Sequence, residues 1–244
     1  MTSSNVKTVA FFGASGGVGL AALQHTLNAG HKCIALCRTP SKLTAVIPES
    51  TPNLKIIQGD AQDATAVSKC LLADDGNFVD IINSTIGSRP KLSFSVLEDP
   101  HICEKASKTL IESISRLRSA GVTGHPHIVT FSTTGLSKFG RDYPLSLYVV
   151  YAWLLKVPHD DKTIMEDTFV NSGEPFTIVR GSLLYDGGAT TKKVRVGIED
   201  VKTGRESEEI GYIISREDAG RWVAENLILR QEKVYLNKIA MITT

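Results

Sequence analysis

The stretch "TVAFFGASGGVG" at residues 8–19 constrains this chain more than any other: an apolar run ends in a cluster of glycines and passes directly into a segment of helical period. Gly13, Gly16 and Gly19 stand at GxxGxxG spacing, with Gly17 as an extra. A tight turn off a strand, a close approach to a bound group and close packing of helix on sheet each call for a residue without Cβ. Such a turn also aims unpaired N–H groups and the positive end of a helix at one point, which suits a phosphate. The order of strand, glycines and helix predicts a dinucleotide-binding loop made of Gly13, Ser15, Gly16, Gly17, Val18 and Gly19.

The rest of the chain repeats the alternation of short apolar runs and helical segments. "KCIALC", "LKIIQ", "FVDIIN", "HIVTF" and "FTIVR" are apolar almost throughout, as strands covered on both faces should be. Helices are expected over residues 17–29, 41–47, 64–72, 99–120 and 162–171, with Gly30 and Gly121 placed to close the first and the long one. The fold class that follows is α/β, a Rossmann-type doubly wound parallel sheet with helices on both faces. After Arg180 the pattern changes to "GSLLYDGG", a ribbon, a helix over about residues 217–229 and a last strand, "KIAMIT". This stretch is too short to fold alone and reads as a lid or a small C-terminal substrate-binding extension. A single domain over residues 1–244 is expected, with 1–131 mainly for the cofactor and 132–244 mainly for the substrate.

The second strand bears on which dinucleotide is held. A carboxylate at its end would bond a ribose 2′-hydroxyl and repel a 2′-phosphate. Here Cys37 takes that place and Arg38 follows, with Thr39, Ser41 and Lys42 close by. The guanidinium fork of Arg38 and the ammonium of Lys42 favour NADP(H) over NAD(H). In "QGDAQD", Asp60 is a candidate acceptor for the adenine amino group and Ala61 for packing on the ring, while helix capping is a competing use for Asp63 and for Asp60. "NSTIGS" ends the fourth strand and puts Asn83, Ser84, Thr85 and Gly87 at the carboxyl edge of the sheet, beside ribose and phosphates.

Composition removes several alternatives. Lysine and arginine total 27 against 26 acidic residues, with no basic run or tail, so nucleic acid is not an expected partner. The N-terminal "MTSSNVK" is polar and no apolar run approaches the ~20 residues of a membrane span, so neither a secretory signal nor a membrane is expected. Cys33, Cys37, Cys70 and Cys103 lack CxxC spacing and read as reduced thiols of a cytoplasmic protein. The acids of "DDKTIMED" suit a helix start better than a metal, and His125 and His127 have no third ligand at a recognisable spacing, so no metal is expected.

Taken together, GxxGxxG, the strand-end Arg38, Gly59–Asp60, "SGEPFTIVRGSLLYDG" and "ISREDAGRWVAENLI" resemble the atypical short-chain dehydrogenase/reductases. Within them the chain is similar to the NmrA-like and the biliverdin reductase B-like, or flavin reductase-like, NAD(P)H-binding proteins. The resemblance implies a hydroxyl after the fifth strand and a Tyr-x-x-x-Lys on the next helix, where the ammonium lowers the tyrosine pKa and binds the nicotinamide ribose. Ser132, Thr133 and Thr134 supply the hydroxyls, and Lys162 falls where the lysine belongs, as a catalytic and cofactor-binding candidate. Four residues earlier stands Pro158, not tyrosine.

Three readings of that departure stay open. Tyr148 or Tyr151 brings a phenol from the preceding segment; His159 acts as acid from the face of Lys162; or solvent supplies the proton, as in reductases similar to biliverdin reductase B. Thr134, Phe139, Tyr143, Leu183, Leu184 and Tyr185 are expected to wall an apolar pocket with a few hydroxyls, suited to an aromatic or polyketide-like ketone, enone, quinone or flavin-like acceptor. The expected activity is an NADPH-dependent reductase. The alternatives are an NADP(H)-sensing regulator with a protein partner, and a non-redox isomerase, dehydratase or cyclase; a monomer or homodimer is expected in each case.

Overall fold

The computed structural model describes residues 6–88, 98–149 and 156–244. Its centre is a nine-stranded sheet in the order β3-β2-β1-β4-β5-β6-β11-β8-β9. The strands are β1 (Thr8–Phe12), β2 (Lys32–Cys37), β3 (Leu54–Gln58), β4 (Ile81–Ser84), β5 (His127–Thr133), β6 (Phe176–Gly181), β8 (Arg195–Asp200), β9 (Gly204–Ser207) and β11 (Lys238–Thr243). From β3 to β11 every pairing is parallel, and β8 and β9 then add antiparallel. β7 (Leu183–Tyr185) and β10 (Ile213–Ser215) make a separate two-stranded ribbon.

Helices cover both faces, as the apolar strands require. In β1, Val9 and Phe11 face one buried cluster, with Leu23 of α1 (Gly17–Asn28) and Trp222 of α6 (Arg216–Trp222). Ala10 and Phe12 face the other, with Val67 of α3 (Ala64–Cys70), Ile114 of α4 (Ile102–Ser119) and Met165 of α5 (Lys156–Val170). A strand buried on both sides has no solvated face on which to place polar residues. Gly30 and Gly121 take φ of +84° and +93° just past α1 and α4, the left-handed conformation that lets the chain leave a helix.

Several boundaries differ from the sequence reading. The short α2 spans Pro40–Thr44, and α4 begins at Ile102 because the Asp99 carboxylate accepts the His101 N–H in a turn ahead of it. α5 extends back at least to Lys156, so Asp160 and Asp161 are not at its mouth. Asp161 instead accepts the N–H groups of Cys103 (3.0 Å) and Glu104 (2.8 Å), capping α4 from outside, where the N-cap residue His101 makes no side-chain cap. Asp160 pairs with Lys156, Glu166 with Arg180 and Asp167 with Lys138, and no group able to hold a metal occurs among the described residues. The ribbon expected as a lid is divided: β8 and β9 widen the central sheet beyond β11, while Ile213–Ser215 joins β7. The expected late helix is α-helical over Arg216–Trp222 and more widely wound over Val223–Leu229.

α6 lies directly on α1. A Cβ on Gly220 would sit 2.5 Å from the Ala21 Cβ and 2.5 Å from the Val18 carbonyl oxygen, so only glycine permits this approach. Among the described residues no helix is long and apolar enough to cross a membrane.

Gly220→Ala should lower stability by about 3 kcal/mol, because backbone rather than a flexible side chain stands in the way; a urea titration against the parent protein measures it. His127, at the start of β5, bonds the Thr177 hydroxyl at 2.9 Å, and burial pushes its pKa down to about 4. The unfolded imidazole takes its proton near pH 6.5. Stability from this group is therefore full above pH 6.5 and lost as pH falls toward 4. His127→Asn should make the decline of the urea midpoint across that window shallower.

Candidate cofactor and active site

A cavity of about 640 Å³ opens at the carboxyl ends of β1, β2 and β4, where open α/β sheets bind ligands. Its floor is the glycine-rich loop: Gly13, Ser15, Gly16 and Gly17 line it directly. Gly13 has φ +92°, and a Cβ there would meet the Thr85 hydroxyl at 2.7 Å. Thr85 braces this turn by donating from its hydroxyl toward the Phe12 and Gly13 carbonyls and from its N–H to Phe12. It therefore lines the cavity while its hydroxyl is spent on the loop. Val18 and Gly19 do not line the cavity; Val18 is core, and Gly19 leaves room for Thr85 and the Gly13 carbonyl.

At the far end, Cys37, Arg38, Thr39 and Lys42 line the same space. Burial raises the Cys37 thiol, so the position that would carry a strand-end carboxylate is uncharged at neutral pH. Neither Arg38 nor Lys42 forms an ion pair among the described residues, so both cations keep their charge for a ligand. Asp60 and Ala61 form the adjoining wall. One Asp60 oxygen accepts the Gln62 N–H at 2.9 Å, while Asp63 performs the helix capping by accepting the Thr65 N–H at 2.8 Å. Gly87 continues the lining with Ile86, Ser88 and Ile102, whereas Ser84 is buried in the sheet behind it.

Backbone N–H groups at the start of α1 suit phosphates, Arg38 and Lys42 suit a further anion, and Asp60 offers an acceptor beside Ala61. The volume lies within the range of small-molecule sites. The residues fit a dinucleotide.

The expected catalytic residues stand beside this lining and not in it. Ser132 and Thr133 are the last two residues of β5, and the Ser132 Oγ is buried with no hydrogen-bond partner among the described residues. Lys162 does not line the cavity: its Nζ donates to the Phe131 carbonyl at 2.9 Å, which fixes a positive charge at the end of the same strand. Tyr151 lies outside the described residues, and Tyr148 is more than half exposed. His159 is on α5 ahead of Lys162, but burial pushes its pKa down to about 4. It is neutral at pH 7 and holds no proton ready to give as an imidazolium.

None of the six expected substrate-wall residues lines the 640 Å³ cavity. Thr134 is buried, and Phe139 lies over Gly204 of the β8–β9 hairpin, at 3.2 Å from where a Cβ would stand. Tyr143 follows Asp142, while Leu184 and Tyr185 lie on β7, half-buried. Next to them is a buried charge cluster. Arg180 donates to Glu166 (2.7 and 3.1 Å), to Glu199 (3.0 Å) and to the Leu136 carbonyl, with Asp142 at 3.9 Å. Burial comes first among the effects on Asp142 and raises its carboxyl above the ordinary range.

One cavity residue had no role in the sequence reading. Arg216, the first residue of α6, reaches the glycine-rich loop from the other end of the chain. Its signal was present in "ISREDAG" as a cation following the capping Ser215, but nothing local says that it meets Gly17.

Comparison with known proteins agrees with this geometry. A family model described as NAD(P)H-binding matches residues 13–228. The reductase pytE of Aspergillus terreus is 40% identical over 267 aligned residues, covering 99% of each protein. The oxidase pynE of Aspergillus niger is 32% identical, covering 91% of this chain and 93% of its own. Among solved structures, a short-chain dehydrogenase/reductase of Veillonella parvula in complex with NADP matches with a TM-score of 0.73 at 14% identity, covering 98% of this chain and 95% of that one. ChuY, an anaerobilin reductase of Escherichia coli, matches with a TM-score of 0.64 at 19% identity and 96% coverage of both. With its glycine-rich loop, parallel sheet and matched length, the chain belongs to the NAD(P)H-binding family of Rossmann-type proteins.

Proposed function

We propose that this protein is an NADPH-dependent reductase of a conjugated or aromatic small molecule. The observation that carries the NADPH preference is the corner at the end of β2, where uncharged Cys37 stands beside Arg38 and Lys42 in the cavity wall. A planar guanidinium binds a 2′-phosphate through paired hydrogen bonds, and no strand-end carboxylate opposes it. Oxidoreductase chemistry is supported by relatives named as a reductase and an oxidase along nearly the whole chain.

In this reading the glycine-rich loop holds the pyrophosphate, Asp60 and Ala61 hold the adenine, and Thr85 and Gly87 border the ribose. When bound, the cofactor supplies a hydride. Thr133, the partly exposed last residue of β5, presents its hydroxyl to the substrate, and the Lys162 ammonium at the end of β5 favours electron density growing on a carbonyl or conjugated oxygen. Pro158 has no proton to give and His159 is neutral, which favours solvent as the source of the proton. The aromatic character of the substrate rests on residue type: Phe139, Tyr143, Leu184 and Tyr185 offer apolar surface, with Thr134 among them.

Wild-type protein should bind NADPH more tightly than NADH, and Arg38→Ala should cost about tenfold or more in NADPH affinity while sparing NADH. Calorimetric titration with both cofactors measures this, and equal wild-type affinities would remove the argument. NADPH oxidation in the presence of flavin, biliverdin, quinone and aromatic-ketone acceptors should reveal turnover that Lys162→Ala lowers by about 10²-fold. Tight NADPH binding with no turnover on any acceptor, together with a co-purifying protein, would favour the NmrA-like regulator instead.

A further inference from the structure

The glycine-rich loop has a second side, and Arg216 occupies it. A Cβ on Gly17 would stand 3.3 Å from the Arg216 Cδ and 3.7 Å from its Nε, so the arginine stem rests on the residue where α1 begins. Gly17 has φ +58°, a conformation that favours glycine, and the space beside it is filled by this side chain. The guanidinium is partly solvent-accessible and lines the same cavity as Gly16, Arg38 and Lys42. It is a third cation of that cavity.

The partner of Arg216 is set by strand register. β7 and β10 pair in parallel, with Leu183 opposite Ile213 and Tyr185 opposite Ser215. The residues that directly follow the two strands are Asp186 and Arg216, and they form an ion pair at 2.8 Å. Asp186 is 93% exposed, so water solvates this carboxylate almost completely and the pair is easily given up. An arginine held loosely over the first turn of a helix, whose N–H groups point at the same space, is arranged to receive an anion.

We propose that Arg216 binds the pyrophosphate of the dinucleotide beside Gly17 and exchanges Asp186 for it, while Arg38 and Lys42 serve the adenosine end. This deepens the reading of the same cavity and depends on the dinucleotide, not on the preference for NADPH. The exchange also reaches the substrate side, because Asp186 directly follows Tyr185 on β7.

Binding, not turnover, tests this. NADPH, NADH and ADP-ribose share a pyrophosphate and differ at the 2′-phosphate and the nicotinamide, so titrating all three by calorimetry separates the contacts. Arg216→Gln should weaken all three by about tenfold and leave the NADPH:NADH ratio unchanged. Arg38→Ala should change that ratio. Arg216→Lys should recover part of the loss, and melting temperatures of both variants identify any effect of misfolding. Asp186→Asn should tighten all three by a few-fold, since it removes the competing carboxylate. Unchanged affinities in Arg216→Gln, a loss confined to NADPH, or weaker binding in Asp186→Asn would each overturn the proposal. A wild-type protein without NADPH preference would instead count against the proposed function and leave the Arg216 result standing.

Discussion

The structure depends on how closely other elements approach the first two turns of α1. On one side Gly13 and Gly19 admit Thr85, whose hydroxyl and N–H tie the end of β4 to the turn leaving β1. On the other, Gly220 admits the backbone of α6 against Val18 and Ala21. A single Cβ at any of these positions would push the glycine-rich loop away from β4 or the C-terminal segment away from the loop. Lys7 adds a tie at the other end of the same layer by donating from its ammonium to the Ile228 (2.6 Å) and Leu229 (2.8 Å) carbonyls. A cation at a helix C-terminus satisfies carbonyls that the helix itself leaves unbonded.

Polar groups hold the C-terminal half by another device. Arg180, on β6, gathers Glu166 of α5, Glu199 of β8 and the chain around Leu136 and Asp142 into one buried cluster. Buried ion pairs carry a large desolvation penalty and are weak evidence of net stabilisation. Their geometric effect is clearer: the fixed fork of the guanidinium sets where α5, the β8 strand and the residue 134–143 segment lie relative to β6. Arg205 extends the cluster by donating to the Gly140 carbonyl at 2.5 Å and lying 3.8 Å from Glu199. The segment expected to border the substrate is thus anchored from beneath by charge.

Much of the fold and of the cofactor corner was legible because its determinants are local. Apolar runs buried on both faces marked β1, β2, β6 and β11, and glycine spacing marked the loop. Cys37 and Arg38 could be placed because the residue after a parallel strand is carried to the carboxyl edge of the sheet. Other features depended on distant segments. Asp161 reads as an acid near the start of its own helix, yet its carboxylate caps α4. The β8–β9 hairpin reads as an extension, yet its open backbone edge completes the antiparallel ladder with β11.

The amino-acid sequence by itself determined a doubly wound parallel sheet and a glycine-rich turn with cations and no acid at the end of β2, because periodicity, glycine conformation and strand-end position act within a few residues. Only the tertiary structure decided which residues share the cavity. It brought Arg216 across the loop from the opposite end of the chain, tied Lys162 to the end of β5 and neutralised His159 by burial. The physical reason is that distance, desolvation and ion pairing depend on which segments pack together, and segments far apart in sequence carry no local sign of meeting.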